Sequence, residues 1–169
     1  MFALRSFALS CLLAACASTS APAASATPTQ HGLDAVAAVH GGAGPWAVAG
    51  YRMGEFALQK LGLERGSFDL DVTHASPPEV QYSCIADGAA AATGASLGKL
   101  NLHWQEVALP DTRTTYLRKS TGQTVELEVT TAFAKRYADV PRPLLKSAGE
   151  EVMRLADNEI FEVTPAAAQ

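Results

Sequence analysis

Cysteine all but disappears from this chain after its sixteenth residue: of three in the sequence, Cys11 and Cys16 stand near the N-terminus and only Cys84 follows. Beyond Cys16 there is no pair for an intrachain disulfide, so a fold stapled by cystines is excluded. Ligand pairs of the CxxC or HExxH type are missing as well, and spacing alone makes no metal centre. Basic clusters are absent: 13 Lys and Arg stand against 17 Asp and Glu, with no interleaving of basic and aromatic residues, which excludes nucleic acid as a partner. The concentrated apolar stretch Phe7–Ala15 is too short to span a bilayer as a helix. The chain has no internal repeat. It also has no P-loop, because Gly98-Lys99 lacks the required upstream glycine and the hydroxyl residue that should follow.

What is present begins with an export pattern. Arg5 is the sole charge ahead of the apolar stretch, and Leu13-Ala14-Ala15-Cys16 resembles a bacterial lipoprotein processing box. Cleavage before Cys16 would remove Cys11, and lipid on Cys16 would hold the chain at the periplasmic side of a bacterial membrane. The alternative is a secretory peptide cut near the alanine-rich run, with release into the periplasm. Residues 17–30 carry little besides small side chains, proline and hydroxyls, the composition of a flexible tether. Residues 31–164 then suffice for one domain with one core.

Within that domain, Gly32–His40 reads as a short helix stopped by Gly41-Gly42, and Trp46–Leu61 as a second helix opened by Pro45 and ended by Gly62. Gly50 and Gly54 share one face of the second helix. They cost helix propensity there, which close approach of another backbone or of a second protomer would offset. Phe68–His74 alternates, with Phe68, Leu70, Val72 and His74 on one face of a strand. Ser83 reads as the N-cap of an alanine-rich helix ending at Gly94. The run 114–133 reads as a β-hairpin with Val125, Leu127 and Val129 inward, and Pro143–Asp157 as an amphipathic helix with Leu145, Val152 and Leu155 toward the core.

With Ser83 as cap, Cys84 falls in the first helical turn, where free N–H groups and the helix dipole favour thiolate and raise nucleophilicity and metal affinity. His74, in phase with the core, then aims an imidazole at the same crevice, and His40 is the best third donor. Sulfur with imidazole suits zinc or another transition metal. The competing readings are a small buried hydrophobe for Cys84, a hydrogen-bonded core histidine for His74 and a helix-end charge for His40. Gly98, Lys99 and Asn101 form a loop whose amides and ammonium group suit a small anionic ligand.

Three stretches resemble the FmdE family, which takes its name from formylmethanofuran dehydrogenase. HGGAGPWAVAGYRMG (residues 40–54) is similar to its HGHxCPGxAxGYRMG opening, SCIADGAAAATGASLGKLNL (83–102) to its cysteine helix with the TGxTxGKxNL continuation, and DNEIFEV (157–163) to its closing DEELFEV. The resemblance implies an α+β domain with helices packed on a mixed or antiparallel sheet, a homodimer, and a connection to C1 metabolism and molybdenum or tungsten enzymes. It carries His40, Cys84, Asp87, Gly94, Gly98, Lys99 and Asn101 across. It also marks departures: Gly42 and Gly44 stand where the family has a histidine and a cysteine, and no cysteine follows Cys84 to build the zinc ribbon of many members.

Two functional classes follow. In the first, the domain binds a metal ion or small anionic ligand through His40, His74, Cys84 and the Lys99 loop, as an accessory to a periplasmic redox or C1 enzyme. In the second, Cys84 is an enzyme nucleophile, Asp87 or a histidine moves protons and Lys99 stabilises negative charge. A degenerate scaffold without a site is the third alternative.

Overall fold

The computed structural model describes residues 27–164 as one α+β domain. The lipidation box at Cys16 and most of the tether lie outside the described residues. The first helix starts earlier than its apolar pattern suggests: α1 spans Pro28–His40, because the Thr27 hydroxyl accepts the Gln30 amide at 3.3 Å and caps it. It ends at His40, with Gly41 in the left-handed region and its N–H on the Ala37 carbonyl.

α2 (Pro45–Leu61) leads to β1 (Leu70–Ser76), and α3 (Val80–Thr93) crosses from β1 to β2 (Leu102–Glu106). A crossover helix is what allows β1 and β2 to pair in parallel, in register from Val72↔Leu102 to Ser76↔Glu106. The hairpin of β3 (Arg113–Arg118) and β4 (Gln123–Val129) adds antiparallel strands on the other side of β1. Two short helices, α4 (Thr131–Arg136) and α5 (Leu145–Val152), and a single turn, α6 (Asp157–Ile160), precede β5 (Phe161–Thr164), which closes the order β2-β1-β3-β4-β5. The sheet is mixed, one parallel pair made by the α3 crossover and the rest antiparallel.

The core lies between the sheet and the helices. Leu70, Val72 and His74 of β1, Tyr116 of β3 and Leu127 of β4 are fully buried toward Val48, Met53 and Ile85. The long C-terminal helix expected from the sequence is shorter, and Leu145 at its start is 37% exposed while Val152 is buried. The peptide groups at its end are claimed by Arg52, whose guanidinium donates to the carbonyls of Val152, Met153 and Leu155 and pairs with Asp157 at 2.6 Å.

The glycine face of α2 is filled from within the chain. A Cβ at Gly50 would stand 2.1 Å from the Ile85 carbonyl oxygen, and one at Gly88 would stand 1.8 Å from the Ala47 carbonyl oxygen. α2 and α3 thus meet backbone to backbone, and Gly54 continues the contact against Ala92. The close approach expected at Gly50 and Gly54 is made by α3, so this face is not open to a second protomer.

Candidate functional site

Three side chains converge where α1 ends against α3. His40, last in α1, presents one ring nitrogen to each neighbour: Nδ1–H donates to Asp87 Oδ2 at 2.8 Å, and Nε2 lies 3.2 Å from Cys84 Sγ. Cys84 and Asp87 are three residues apart on α3, hence on one face, and the imidazole bridges them. The chain therefore builds a thiol, a base and an orienting carboxylate in series, the arrangement of a nucleophilic triad.

The charges reinforce one another. The His40 pKa is raised to about 9, first by its hydrogen bond to Cys84, then against the opposing effect of burial by the hydrogen bond to Asp87 and the two neighbouring charges. Its place in the last turn of α1 acts in the same direction, since a helix C-terminus favours a cation. These neighbours favour the protonated ring at neutral pH, so that His40 can hand a proton toward the sulfur side and take it back. The His40 side chain is 25% exposed and that of Asp87 47%, so the pair is wetted on its carboxylate side.

Cys84 and His40 sit in a wall between two cavities. The larger, about 840 Å³, is bounded by Leu33, Ala37, Trp46, Val80, Val140 and Leu145 among others. Its lining side chains include Arg142 and Lys146 with Asp34 and Glu150, beside His40. The smaller, about 450 Å³, lies beside Asp87, Ser83 and Trp104. The start of α2 also borders the large cleft through Gly44, Pro45, Trp46 and Ala47. Gly44 supplies no side-chain cap to that helix, and Pro45 supplies no N–H.

Other residues singled out in the sequence are placed elsewhere. His74 is fully buried: its Nε2–H donates to the Tyr82 carbonyl at 3.1 Å and the Thr114 hydroxyl donates to its Nδ1 at 2.9 Å. Burial pushes its pKa down to about 4 and keeps it neutral, so it ties β1 and β3 to the first turn of α3. Lys99 Nζ donates to the carbonyls of Gly66 and Gly94, and Asn101 Nδ2 donates to the Leu70 carbonyl while its Oδ1 accepts the Ser96 amide. Gly98 is exposed in a single 3₁₀ turn. None of Gly98, Lys99 and Asn101 lines either cavity at Cys84.

The N-cap of α3 is Glu79 and not Ser83, which puts Cys84 one turn further into the helix. Pro78 ends the extended segment, but the helix begins as soon as the chain is clear of it. The dipole therefore does less for Cys84 than the sequence pattern suggests, and the His40 ring does more. As for metal, Cys84 and Asp87 contact opposite nitrogens of His40 and do not converge on one point. Among the described residues no group of three His, Cys, Asp or Glu side chains is placed to hold an ion. The signal that would have paired the triad was the Cys84-x-x-Asp87 spacing on one helix face, with His40 as the charge to join it.

A family described as "FmdE, Molybdenum formylmethanofuran dehydrogenase operon" matches residues 39–162. No curated protein matches the chain.

Proposed function

The chain belongs to the FmdE family, and from that membership and the triad we propose a cysteine-dependent enzyme, accessory to a C1 or formylmethanofuran-type system, in which Cys84 is the nucleophile. The observation that carries the reading is the His40 ring, held between Asp87 at 2.8 Å and Cys84 at 3.2 Å. An imidazolium beside the sulfur stabilises thiolate and returns a proton to a leaving group, and Asp87 holds the ring in the orientation this needs. The sulfur attacks an electrophilic carbon of a substrate in the large cleft, forming a carbon–sulfur bond. His40 then gives its Nε2 proton to the displaced group.

The test is the rate at which Cys84 is alkylated by iodoacetamide, read by intact mass. Wild type should react about 10²-fold faster at pH 7 than His40→Gln, the lower end of what a positioned proton-transfer group contributes. Asp87→Asn should fall between the two. Equal rates in all three proteins would end the reading.

The same proposal places the chain outside the cytoplasm, anchored through lipid on Cys16. Each buried methylene contributes about 0.8 kcal/mol, and more than one acyl chain is needed for stable anchoring. Cys16→Ala should move the protein from the membrane fraction to the soluble one. A substituted protein that stays membrane-bound with the wild-type processed mass would remove the anchor from the proposal.

A further inference from the structure

We propose that the electrophile is an acyl ester or thioester with an apolar chain, bound in the large cleft with its carbonyl oxygen at the uncapped start of α2; this rests on the nucleophile reading above. Three observations point to it. The cleft of about 840 Å³ is lined mostly by apolar residues, and its Arg142 and Lys146 are matched by Asp34 and Glu150, so what it chiefly offers a ligand is removal of apolar surface from water. The start of α2, at Gly44 to Ala47, lines the cleft that holds the thiol. Gly44 provides no side-chain acceptor there, and the first intrahelical bond is that of the Val48 N–H to the Gly44 carbonyl, which leaves the Trp46 and Ala47 amides as the donors. Donors of this kind stabilise the oxyanion that forms when a thiolate adds to a carbonyl. The third observation is the triad itself, in which His40 Nε2 faces the sulfur at 3.2 Å and Nδ1 faces Asp87 at 2.8 Å.

The reaction balances without a further reagent. Cys84 thiolate adds to the acyl carbon, and the carbonyl electron pair moves to oxygen beside the α2 amides. When the carbonyl reforms, the bond to the alcohol or thiol breaks and that group leaves with the His40 Nε2 proton. This gives an acyl thioester on Cys84. Water reaches it from the smaller cavity, which shares Cys84 and His40 and is bordered by Asp87. Its proton passes to His40, its hydroxyl to the acyl carbon, and the thiolate and a carboxylic acid are released.

The probes are p-nitrophenyl acetate, butyrate, hexanoate and octanoate, with acylation of Cys84 followed by intact mass and by nitrophenol release. The expected result is a rate that rises at least tenfold from acetate to octanoate, since the longer chain takes more apolar surface out of water. Ala138→Trp and Leu145→Arg alter the cleft wall, and either should abolish the chain-length preference. A chain-length profile that is flat in wild type, with triad-dependent alkylation intact, overturns the acyl-cleft proposal and leaves the nucleophile standing. Alkylation that ignores His40 overturns both. Acylation of lysines in place of Cys84 also overturns the proposal.

Discussion

Two polar clusters of this chain look alike as sequence and differ in what they leave unspent. At Ser96, Lys99 and Asn101 each polar side chain ends on backbone: the ammonium group on the Gly66 and Gly94 carbonyls, the amide on Leu70 and Ser96, and the Ser96 hydroxyl on the Lys99 N–H. At His40, Cys84 and Asp87 the side chains end on one another and face two cavities. The first cluster stitches the crossover between α3 and β2, where the chain must turn sharply and would otherwise bury unpaired peptide groups. The second keeps a mobile proton and a sulfur lone pair within reach of a reactant. A charged residue in a glycine-rich loop is therefore no evidence of a ligand until its donors have been followed to their acceptors.

The comparison breaks first at the triad. His40→Gln should reduce alkylation of Cys84 about 10²-fold, which corresponds to about 2.7 kcal/mol in activation free energy, with unfolding by urea at about pH 10, where the folded-state imidazole has lost its extra proton, changed by less than about 1 kcal/mol. An equally large loss of stability would mean that the histidine is a strut. Asn101→Ala should do the reverse. It leaves the Leu70 carbonyl and Ser96 amide without their partner beside a buried site, so the unfolding free energy should drop by about 2 kcal/mol, and the alkylation rate of the folded protein should not move.

The two histidines sharpen the contrast through pH. His40 has its pKa raised to about 9 in the folded protein. Its stabilising effect is complete below the unfolded value near 6.5 and is lost as pH rises through about 9, because the folded state then binds the extra proton no longer. For His74, with a pKa lowered to about 4, the unfolded chain binds more protons between about 4 and 6.5. Stability should accordingly fall as pH drops through that window and level off below it. Urea titrations across pH 4–10 should show both limbs. The alkaline one should vanish in His40→Gln and the acid one should shrink in His74→Gln, and a variant that loses the other's limb would mean that the two pKa directions are misassigned. The smallest effect belongs to Lys99→Met: about 1 kcal/mol of stability for its two carbonyl contacts and an unchanged response of Cys84 to every ester. A slower acylation in that variant would show the loop to be part of the site after all.

How far the sequence reached follows from the range of the interactions. Local signals carried well. The alternation of Leu70, Val72 and His74 and the glycine stops at Gly62 and Gly94 are where the pattern places them, because each is decided within a few residues. The hairpin closes earlier, at Val129, with Thr131–Phe133 opening α4 under the Thr130 cap, and Phe68, expected on the inner face, lies before β1 and is exposed. The α+β class implied by the family resemblance also holds, and of the mixed or antiparallel sheet it allowed, the α3 crossover makes the mixed one. The site is where non-local geometry decides: His40 and Cys84 are 44 residues apart, and no spacing rule says which of two histidines reaches the sulfur. Phase alone put His74 on the inner face correctly. What phase does not report is whether an inner imidazole meets a thiol or, as here, a hydroxyl and a carbonyl that consume both nitrogens. The cap of α3 was misplaced because Ser83 is a strong capping type, whereas Glu79 becomes the cap through the turn imposed by Pro77-Pro78, with no side-chain bond of its own.

The glycine contact between α2 and α3 bears on the reaction in one more way. Side chains in an interface hop between rotamers, and each hop lets the elements they separate breathe against each other. Where Gly50 meets Ile85 and Gly88 meets Ala47, there is no rotamer to hop, so at these two points the helix that carries the sulfur and the helix that offers its amides meet through peptide groups. The relative placement of nucleophile and oxyanion donors then has little conformational entropy to lose when a substrate arrives. The acylation step should accordingly show an activation entropy close to that of the bimolecular encounter alone, and enlarging either glycine should make it more negative before it makes the protein unfold.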